Sequence, residues 1–197
     1  MVANSPRTRL DPEARRAQLV GLGLQMLSTR PLDKVAIDDI AAEAGISRGL
    51  LFHYFPTKRD FHVAVARAVA DELLARTEAD PALPAIDRLR AGVEAFVDHV
   101  TANRDAYVAL IRGSAGGDPA VMEVFEETRV AFTDRVLDGL PGPHPPRLRA
   151  AVRGWVAFTE EVTVDWLSQG ALERDEVVDL IDDALVALVT MATNGGG

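Results

Sequence analysis

The residues best suited to hold a metal ion are spaced too irregularly to form a site. The sequence contains no cysteine, which excludes disulfides and thiolate ligands. Its four histidines are His53, His62, His99 and His144. No two of them are four residues apart, and none follows a glutamate in the Glu-x-x-His pattern that places two ligands on one helical face. We therefore expect no metal site and no cofactor.

Carboxylates and hydroxyls capable of acid–base or nucleophilic chemistry also lack partners. Glu161 and Asp165 are four residues apart, but no nucleophile accompanies them, and a solvated helix face is the favoured interpretation. No serine has the Gly-x-Ser-x-Gly setting of a hydrolase. The sequence therefore does not predict an enzyme. A helical enzyme that uses a pocket remains a remote alternative.

The charges are distributed unevenly along the chain. The net charge is −9, but residues 1–60 carry nine basic and seven acidic residues, whereas residues 61–197 carry twelve basic and twenty-three acidic residues. We call these two parts the head and the body. Since phosphate repels an acidic surface, the head is the part able to approach nucleic acid.

Helical periodicity runs through the whole sequence, and no segment alternates apolar and polar residues as a strand does. Breakers such as Pro31, Gly45, Pro56, Pro84 and the proline-rich segment 141–146 separate about nine helices. The pattern predicts an all-α fold with two domains, 1–60 and 61–197. A helix over 57–78 joins them.

Residues 36–55 have the pattern of two short amphipathic helices joined by a tight turn. Gly45 tolerates the left-handed backbone that such a turn requires, Ile46 is the apolar residue of the turn, and Ser47 caps the second helix. This is the layout of a helix-turn-helix, whose second helix enters the major groove of DNA.

The segment from Ala44 to Lys58, AGISRGLLFHYFPTK, resembles the recognition segment of the TetR family of transcriptional regulators. That family shows Ala-Gly-Val-Ser, then glycine, Leu-Tyr, an aromatic pair and a lysine, and Asp39-Ile40-Ala41 also matches its preceding helix. The motif covers roughly residues 13–61. The rest of the chain agrees in length and helical layout.

The resemblance implies a set of DNA-binding residues. They are Ala36, Ile37, Ser47, Arg48, Gly49, Leu50, Phe52, His53, Tyr54 and Lys58. Arg48 has the geometry to bind guanine and Leu50 to contact a thymine methyl group, while Tyr54 and Lys58 match positions that hold phosphates.

Two positions depart from the family pattern: Ala36 replaces a frequent threonine and Phe52 a frequent tyrosine, so two hydroxyl contacts are missing. Arg7 and Arg9 precede the first helix. A disordered tail is favoured there over an arm that reaches the minor groove.

The resemblance also implies that the body encloses an effector pocket. The candidates for its lining are aromatic and polar side chains on helices that must converge: Phe96, His99, Tyr107, Met122, Phe125, Arg129, Trp155, Phe158 and Trp166. For each aromatic residue, packing in the core is the alternative. Arg129 is a candidate anchor for a carboxylate, with a surface salt bridge as its alternative.

The last two helices, 147–169 and 174–193, are apolar around much of their circumference. Because such helices must be buried on several sides, a second copy of the chain is expected to cover one side. The candidate interface residues are Val152, Val156, Val162, Ile181, Leu185 and Leu188. A central core helix is the alternative.

Together these observations predict a homodimeric, TetR-like DNA-binding regulator. We expect a repressor that a small-molecule effector releases from a near-palindromic operator with half-sites about 34–36 Å apart. The alternatives are a regulator of the same fold without an effector, or an activator. No apolar run of about 18 residues and no secretory leader are evident, so no membrane partner is expected and the cytoplasm is the expected location.

Overall fold

The computed structural model describes residues 11–27, 29–114 and 117–194, and in these ranges the chain forms nine α-helices and no strand. Three helices form the head: α1 (Pro12–Leu27), α2 (Ile37–Glu43) and α3 (Arg48–Tyr54). The remaining six are α4 (Lys58–Arg76), α5 (Ala85–Ala102), α6 (Arg104–Ser114), α7 (Pro119–Asp138), α8 (Pro146–Gln169) and α9 (Arg174–Asn194). The predicted all-α fold is confirmed. A single 3-10 turn, Leu32–Lys34, was not predicted.

Local capping residues set the beginnings of the helices that matter for function. The Ser47 hydroxyl accepts a hydrogen bond from the Leu50 amide at 3.2 Å and begins α3. Thr57 and Asp60 exchange hydrogen bonds in a capping box that begins α4. Gly45, between α2 and α3, has φ +63°, the left-handed conformation expected from the sequence.

The interior has two apolar clusters. The first, which we call the head core, contains buried residues of α1 to α3, the first half of α4 (Phe61 to Ala70) and residues of α6 and α7. Leu110, Val121, Val124 and Phe125 are those body residues. The head therefore packs on the body through a continuous apolar contact that crosses residue 60 in the sequence.

The second cluster, the body core, is formed by α5, α8 and α9 with Leu73, Tyr107 and Leu137. It corrects the expected dimer interface. Four of the predicted interface residues, Val152, Val156, Ile181 and Leu185, are at most 5% exposed, because α8 and α9 turn these side chains towards each other and towards α5. Val162 and Leu188 are half-buried at the edge of the same cluster.

None of the helices over the described ranges is both long and apolar enough to cross a membrane.

Candidate nucleic-acid interface and body cavity

The turn between α2 and α3 is rigid because both helices bury their inner faces in the head core. Ile40, Ala41 and Leu51 are at most 4% exposed, and the Ile46 amide donates to the Ala41 carbonyl at 3.0 Å. Ile46 packs against the head core from the turn itself. The outer side of α3 is thus held in a fixed orientation.

That outer side carries most of the residues predicted to contact DNA. Arg48, Gly49, Leu50 and His53 are exposed, and Ser47 is exposed at the cap. Leu50 is 40% exposed although its neighbour Leu51 is fully buried. An exposed leucine on a short helix provides an apolar surface of the kind that contacts a thymine methyl group.

The Arg48 side chain has two neighbours in the head. Its Nη1 donates to Oδ2 of Asp38 at 3.1 Å, and its Cζ lies 5.4 Å from the centre of the Phe52 ring. Both members of the ion pair are more than half exposed, so the contact is weak. It orients the guanidinium without shielding it from a ligand.

Lys58 and Tyr54 lie beside this face. Lys58 is exposed in the first turn of α4, and its Nζ donates to the Asp33 carbonyl at 2.9 Å. The ammonium group has three donors, so two remain for phosphate oxygens. Tyr54 is half-buried against the head core, with its ring edge-on to His53 at 5.5 Å.

Ile37 corrects one expectation. Its side chain is 6% exposed and belongs to the head core, because the α2 register turns it inwards with Ile40, so the side chain does not lie on the exposed surface. Ala36 is half-buried at the N-cap of α2 and makes no side-chain cap bond. Arg7 and Arg9 lie outside the described residues.

The body contains an open cavity of about 750 Å³ lined by residues of α4 to α8 and by Leu185 of α9. Four predicted pocket residues line it, namely Phe96, Tyr107, Phe125 and Trp155. Phe132 and Leu89 add to the apolar wall, and the mouth lies where the α4–α5 loop meets the end of α7. Such a volume is typical of a site for a small organic molecule.

The other five predicted pocket residues do not line this cavity. Met122 packs against the head core, and Phe158 and Trp166 pack on the outside of the body core, where the Trp166 indole donates to the Leu172 carbonyl at 2.8 Å. His99 is half-buried near the end of α5 and is likewise absent from the lining. The helical register turns these side chains away from the cavity.

Arg129 lies behind the cavity wall rather than inside it. Its Nε donates to both carboxylate oxygens of Glu160, at 2.8 and 3.0 Å, and its Nη1 donates to Glu126 at 2.7 Å. Burial raises the pKa of Glu160, and Arg129 opposes that shift by stabilising the carboxylate. The arginine is therefore already paired and does not act as a free anchor for a carboxylate ligand.

The inner end of the cavity holds Tyr107, which the sequence analysis predicted for the pocket, and three polar residues that it did not predict, Thr128, Thr159 and Glu160. We call the part of the cavity that is lined by Tyr107, Thr128, Thr159 and Glu160 the inner end. Burial raises the pKa of Tyr107, and the nearby Glu160 carboxylate adds to the shift. No sequence signal separates Thr159 from other helical threonines, because its role depends on which side of α8 faces α6 and α7.

A second apolar surface lies on the outside of α8 and α9. Val162, Trp166 and Leu180 line a shallow groove there. Leu180 and Met191 are 41% and 59% exposed, and Ala184 and Leu188 lie half-buried between them on α9. We call this surface the outer face. No metal-binding cluster of carboxylate and imidazole groups occurs within the ranges that the structure describes.

Comparison with known proteins agrees with this architecture. Residues 20–65 match the model of bacterial regulatory proteins of the tetR family, and residues 86–188 match that of the tetracyclin repressor-like C-terminal domain. A solved tetR-family transcriptional regulator from Streptomyces coelicolor is 31% identical, with a TM-score of 0.81 over 93% of this chain and 84% of that one.

Two curated relatives come from Mycolicibacterium smegmatis. The HTH-type transcriptional activator FasR is 27% identical over 89% of this chain and 83% of its own length. The HTH-type transcriptional repressor KstR2 is 36% identical over 36% of this chain and 35% of its own length. With both family models matched in chain order and the same fold at 31% identity, the chain belongs to the TetR family of DNA-binding transcriptional regulators.

Proposed function

We propose that this protein is a homodimeric repressor whose affinity for a near-palindromic operator falls when a small molecule occupies the body cavity. In this proposal the head, residues 1–60, binds DNA, and the body, residues 61–197, binds the effector and the second subunit. The effector acts by binding more tightly to a form in which the two heads no longer match the half-sites.

The exposed side of α3 supports the DNA contact. Arg48, Gly49 and Leu50 begin the helix on its solvent side, and all three are exposed. A Cβ atom added at Gly49 would meet no atom closer than 4.0 Å, so a base edge or sugar can approach the backbone there. We assign Lys58, Tyr54, His53 and Ser47 to contacts that flank this helix.

The outer face supports the homodimer. Apolar residues of α8 and α9 cluster on this face, although Glu161, Asp165 and Gln169 also line its groove, and clustered apolar side chains are typical of an interaction surface. We assign to the interface two of the residues that the sequence predicted there, Val162 and Leu188. Four further residues on this face are also assigned to it: Phe158, Trp166, Leu180 and Met191. A second copy bound there by a two-fold axis would bury the same surface on both chains.

One observation carries the effector part of the proposal: the cavity wall and the head core share residues. Ala70, Leu110 and Phe125 belong to the head core and also line the cavity. Because close-packed interiors transmit displacement, a molecule that moves these side chains also moves the packing of the head. Val65 and Phe61, five and nine residues before Ala70 on α4, continue this contact towards the head.

The proposal can be tested with a covalently attached alkyl group that occupies the cavity, so the effector itself need not be known. DNA selected from a random pool first provides a binding site. Since the chain has no cysteine, Ala131→Cys, on the cavity wall, is then labelled with alkyl methanethiosulfonates of increasing length. DNA affinity is expected to decrease as the alkyl chain lengthens, whereas labelled Glu123→Cys, exposed on the same helix, keeps the affinity. Equal affinity at every length would overturn the effector proposal.

An activator is the second candidate function, because the relative that matches 89% of this chain is named an activator. The two candidates share the same DNA and cavity contacts and differ in where the site lies relative to a promoter. In vitro transcription from a template that carries the selected site separates them: a repressor lowers the transcript yield, and an activator raises it.

A further inference from the structure

The inner end of the cavity contains two hydroxyl groups that have no hydrogen-bond partner among the described residues. Thr159 is 8% exposed, and its Oγ1 is buried without a partner. Tyr107 is 7% exposed, and its hydroxyl makes no hydrogen bond within the described chain. A buried polar group without a partner is unfavourable, so the Thr159 hydroxyl would gain from a solvent or ligand oxygen, and the Tyr107 hydroxyl offers a second donor.

Thr159 is unusual among the helical threonines. Threonines 77, 101, 128, 133, 190 and 193 each donate to the carbonyl four residues earlier, at 2.6–2.9 Å. Thr159 does not make this bond, although the Trp155 carbonyl is available at the same offset. Thr163, one turn later, also has an unpartnered hydroxyl, but it does not line the cavity.

The other polar groups at the inner end are already satisfied. The Thr128 hydroxyl donates to the Val124 carbonyl at 2.8 Å, and the Glu160 carboxylate accepts from Arg129. The Trp155 indole donates to the Ile181 carbonyl at 2.8 Å, so its ring contributes apolar surface. A ligand group here therefore meets two free hydroxyls in an otherwise apolar environment.

The charges around the cavity disfavour an ionised ligand group. At the inner end, Glu160 is paired with Arg129, so the pair leaves no net charge for an anion or a cation. At the mouth, Arg88 and Arg135 lie among Glu78, Asp134 and Asp138, so neither sign dominates. Burial of an unpaired charge in an apolar site is costly.

We propose that the inner end of the cavity binds a neutral carbonyl or hydroxyl oxygen of a predominantly apolar small molecule, through hydrogen bonds from the Tyr107 and Thr159 hydroxyls. The apolar part of the molecule lies against Phe96, Phe125 and Phe132 and extends towards the mouth. This inference rests on the proposed function, because it names the chemical class of the proposed effector. The preference of the cavity for that class can be measured without DNA.

The test uses a nine-carbon series as probes: 2-nonanone, 1-nonanol, nonanoate, nonylamine and nonane. Binding to the full-length protein is followed by the change in tryptophan fluorescence, to which Trp155 in the cavity wall and Trp166 outside it both contribute. The ketone and the alcohol are expected to bind at least about fivefold more tightly than the other three, as one or two buried hydrogen bonds imply. Nonane, nonanoate or nonylamine binding as tightly as the ketone would overturn the proposal.

Variants assign the preference to the two hydroxyls. Thr159→Val and Tyr107→Phe should each weaken ketone binding about fivefold and leave nonane binding unchanged, and Thr159→Ser should retain the wild-type affinity. The matched control Thr163→Val removes an unpartnered hydroxyl outside the cavity and should bind the ketone as the wild type does. If the control variant loses as much affinity for the ketone as Thr159→Val does, the assignment is contradicted.

Failure of this inference and failure of the proposed function are distinguishable. If 2-nonanone binds with the expected dependence on Thr159 but leaves DNA affinity unchanged, the cavity chemistry stands and the effector role fails. If labelled Ala131→Cys weakens DNA binding while the ketone shows no preference over nonane, the effector role stands and the neutral-oxygen class fails.

Discussion

The head has a closely packed interior and carries its candidate binding residues on its surface, whereas the candidate binding residues of the body are buried around a cavity. In the head, Leu51 and Phe55 are at most 1% exposed, and Arg48 and Leu50 project from the outside of α3. In the body, Tyr107 and Thr159 are buried around a cavity of about 750 Å³. A macromolecular ligand requires an exposed, rigid surface, and a small molecule requires an enclosed one.

The contrast extends to charge. The body's arginines are mostly held in ion pairs, such as Arg90 with Asp179 and Asp182, or Arg174 with Asp98. In the head, Arg48 and Lys58 make single exposed contacts that phosphate or a base can replace. An acidic body that neutralises its own cations leaves the head as the surface available to DNA.

The largest expected effect concerns the outer face of the body. Leu180→Glu places a charge in the apolar groove of the proposed interface and should weaken the dimer by about 2–4 kcal/mol, as loss of a central interface residue does. Val130→Glu, at a similarly exposed apolar position on α7, is the matched control. Sedimentation velocity over a concentration series measures both. A dimer of Leu180→Glu as stable as that of Val130→Glu would remove this face from the interface.

A smaller effect tests how tightly the head is closed. A Cβ atom at Gly23 would lie 2.6 Å from Val65 Cγ2 and 2.8 Å from Phe61 Cζ, whereas at Gly21 nothing lies within 4 Å. Gly23→Ala should lower the free energy of unfolding by about 1–3 kcal/mol through overpacking. Gly21→Ala should raise it by up to about 1 kcal/mol through helix propensity. Chemical denaturation measures both, and the same sign for the two variants contradicts a close-packed α1–α4 contact.

Arg48→Ala and Lys58→Ala should separate base recognition from phosphate binding. Arg48→Ala is expected to cost about 1–2 kcal/mol at one base position and to relax specificity there. Lys58→Ala should weaken binding to all sequences and lower the salt slope by about one. Fluorescence anisotropy against the selected site and single-base variants, at several salt concentrations, provides the readout. Identical profiles for the two variants would reject these roles.

The smallest effect is a pH dependence in the head core. Burial lowers the pKa of His62, and although the hydrogen bond to the Val35 carbonyl at 3.2 Å opposes the shift, the net direction is downward. The unfolded chain therefore binds a proton more readily than the folded chain as the pH falls below about 6.5, and stability decreases there. His62→Gln should flatten this part of the stability profile measured by denaturation between pH 5 and 8. An unchanged slope would assign the dependence to other groups.

Most of the head could be predicted because its determinants are local. Gly45, Ser47 and Thr57 specify a turn and two caps within a few residues of themselves, and the structure has each of them where the sequence placed it. Ile37 was predicted to contact DNA because of its position in the family motif, and the motif does not indicate the direction in which the side chain points. The contacts with α4 and the rest of the head core decide that orientation.

The body was harder to predict because its helices have apolar residues on more than one side. Val152, Val156, Ile181 and Leu185 were expected at a dimer interface but pack within one chain. Similarly, Phe158 and Trp166 were grouped with Phe96 and Trp155 although they lie on opposite sides of the bundle wall. Helical periodicity identifies an apolar side, but it does not tell which neighbour covers it.

The order of the amino acids alone determined the helical fold, the two short helices around Gly45 and the charged contrast between head and body, because these depend on neighbouring residues and on composition. The packing of α4 to α8 decided that a cavity exists, that Arg129 is paired with Glu160, and that the Thr159 hydroxyl has no partner among the described residues. Each of those features depends on groups that lie far apart in the chain and meet only after the helices have packed.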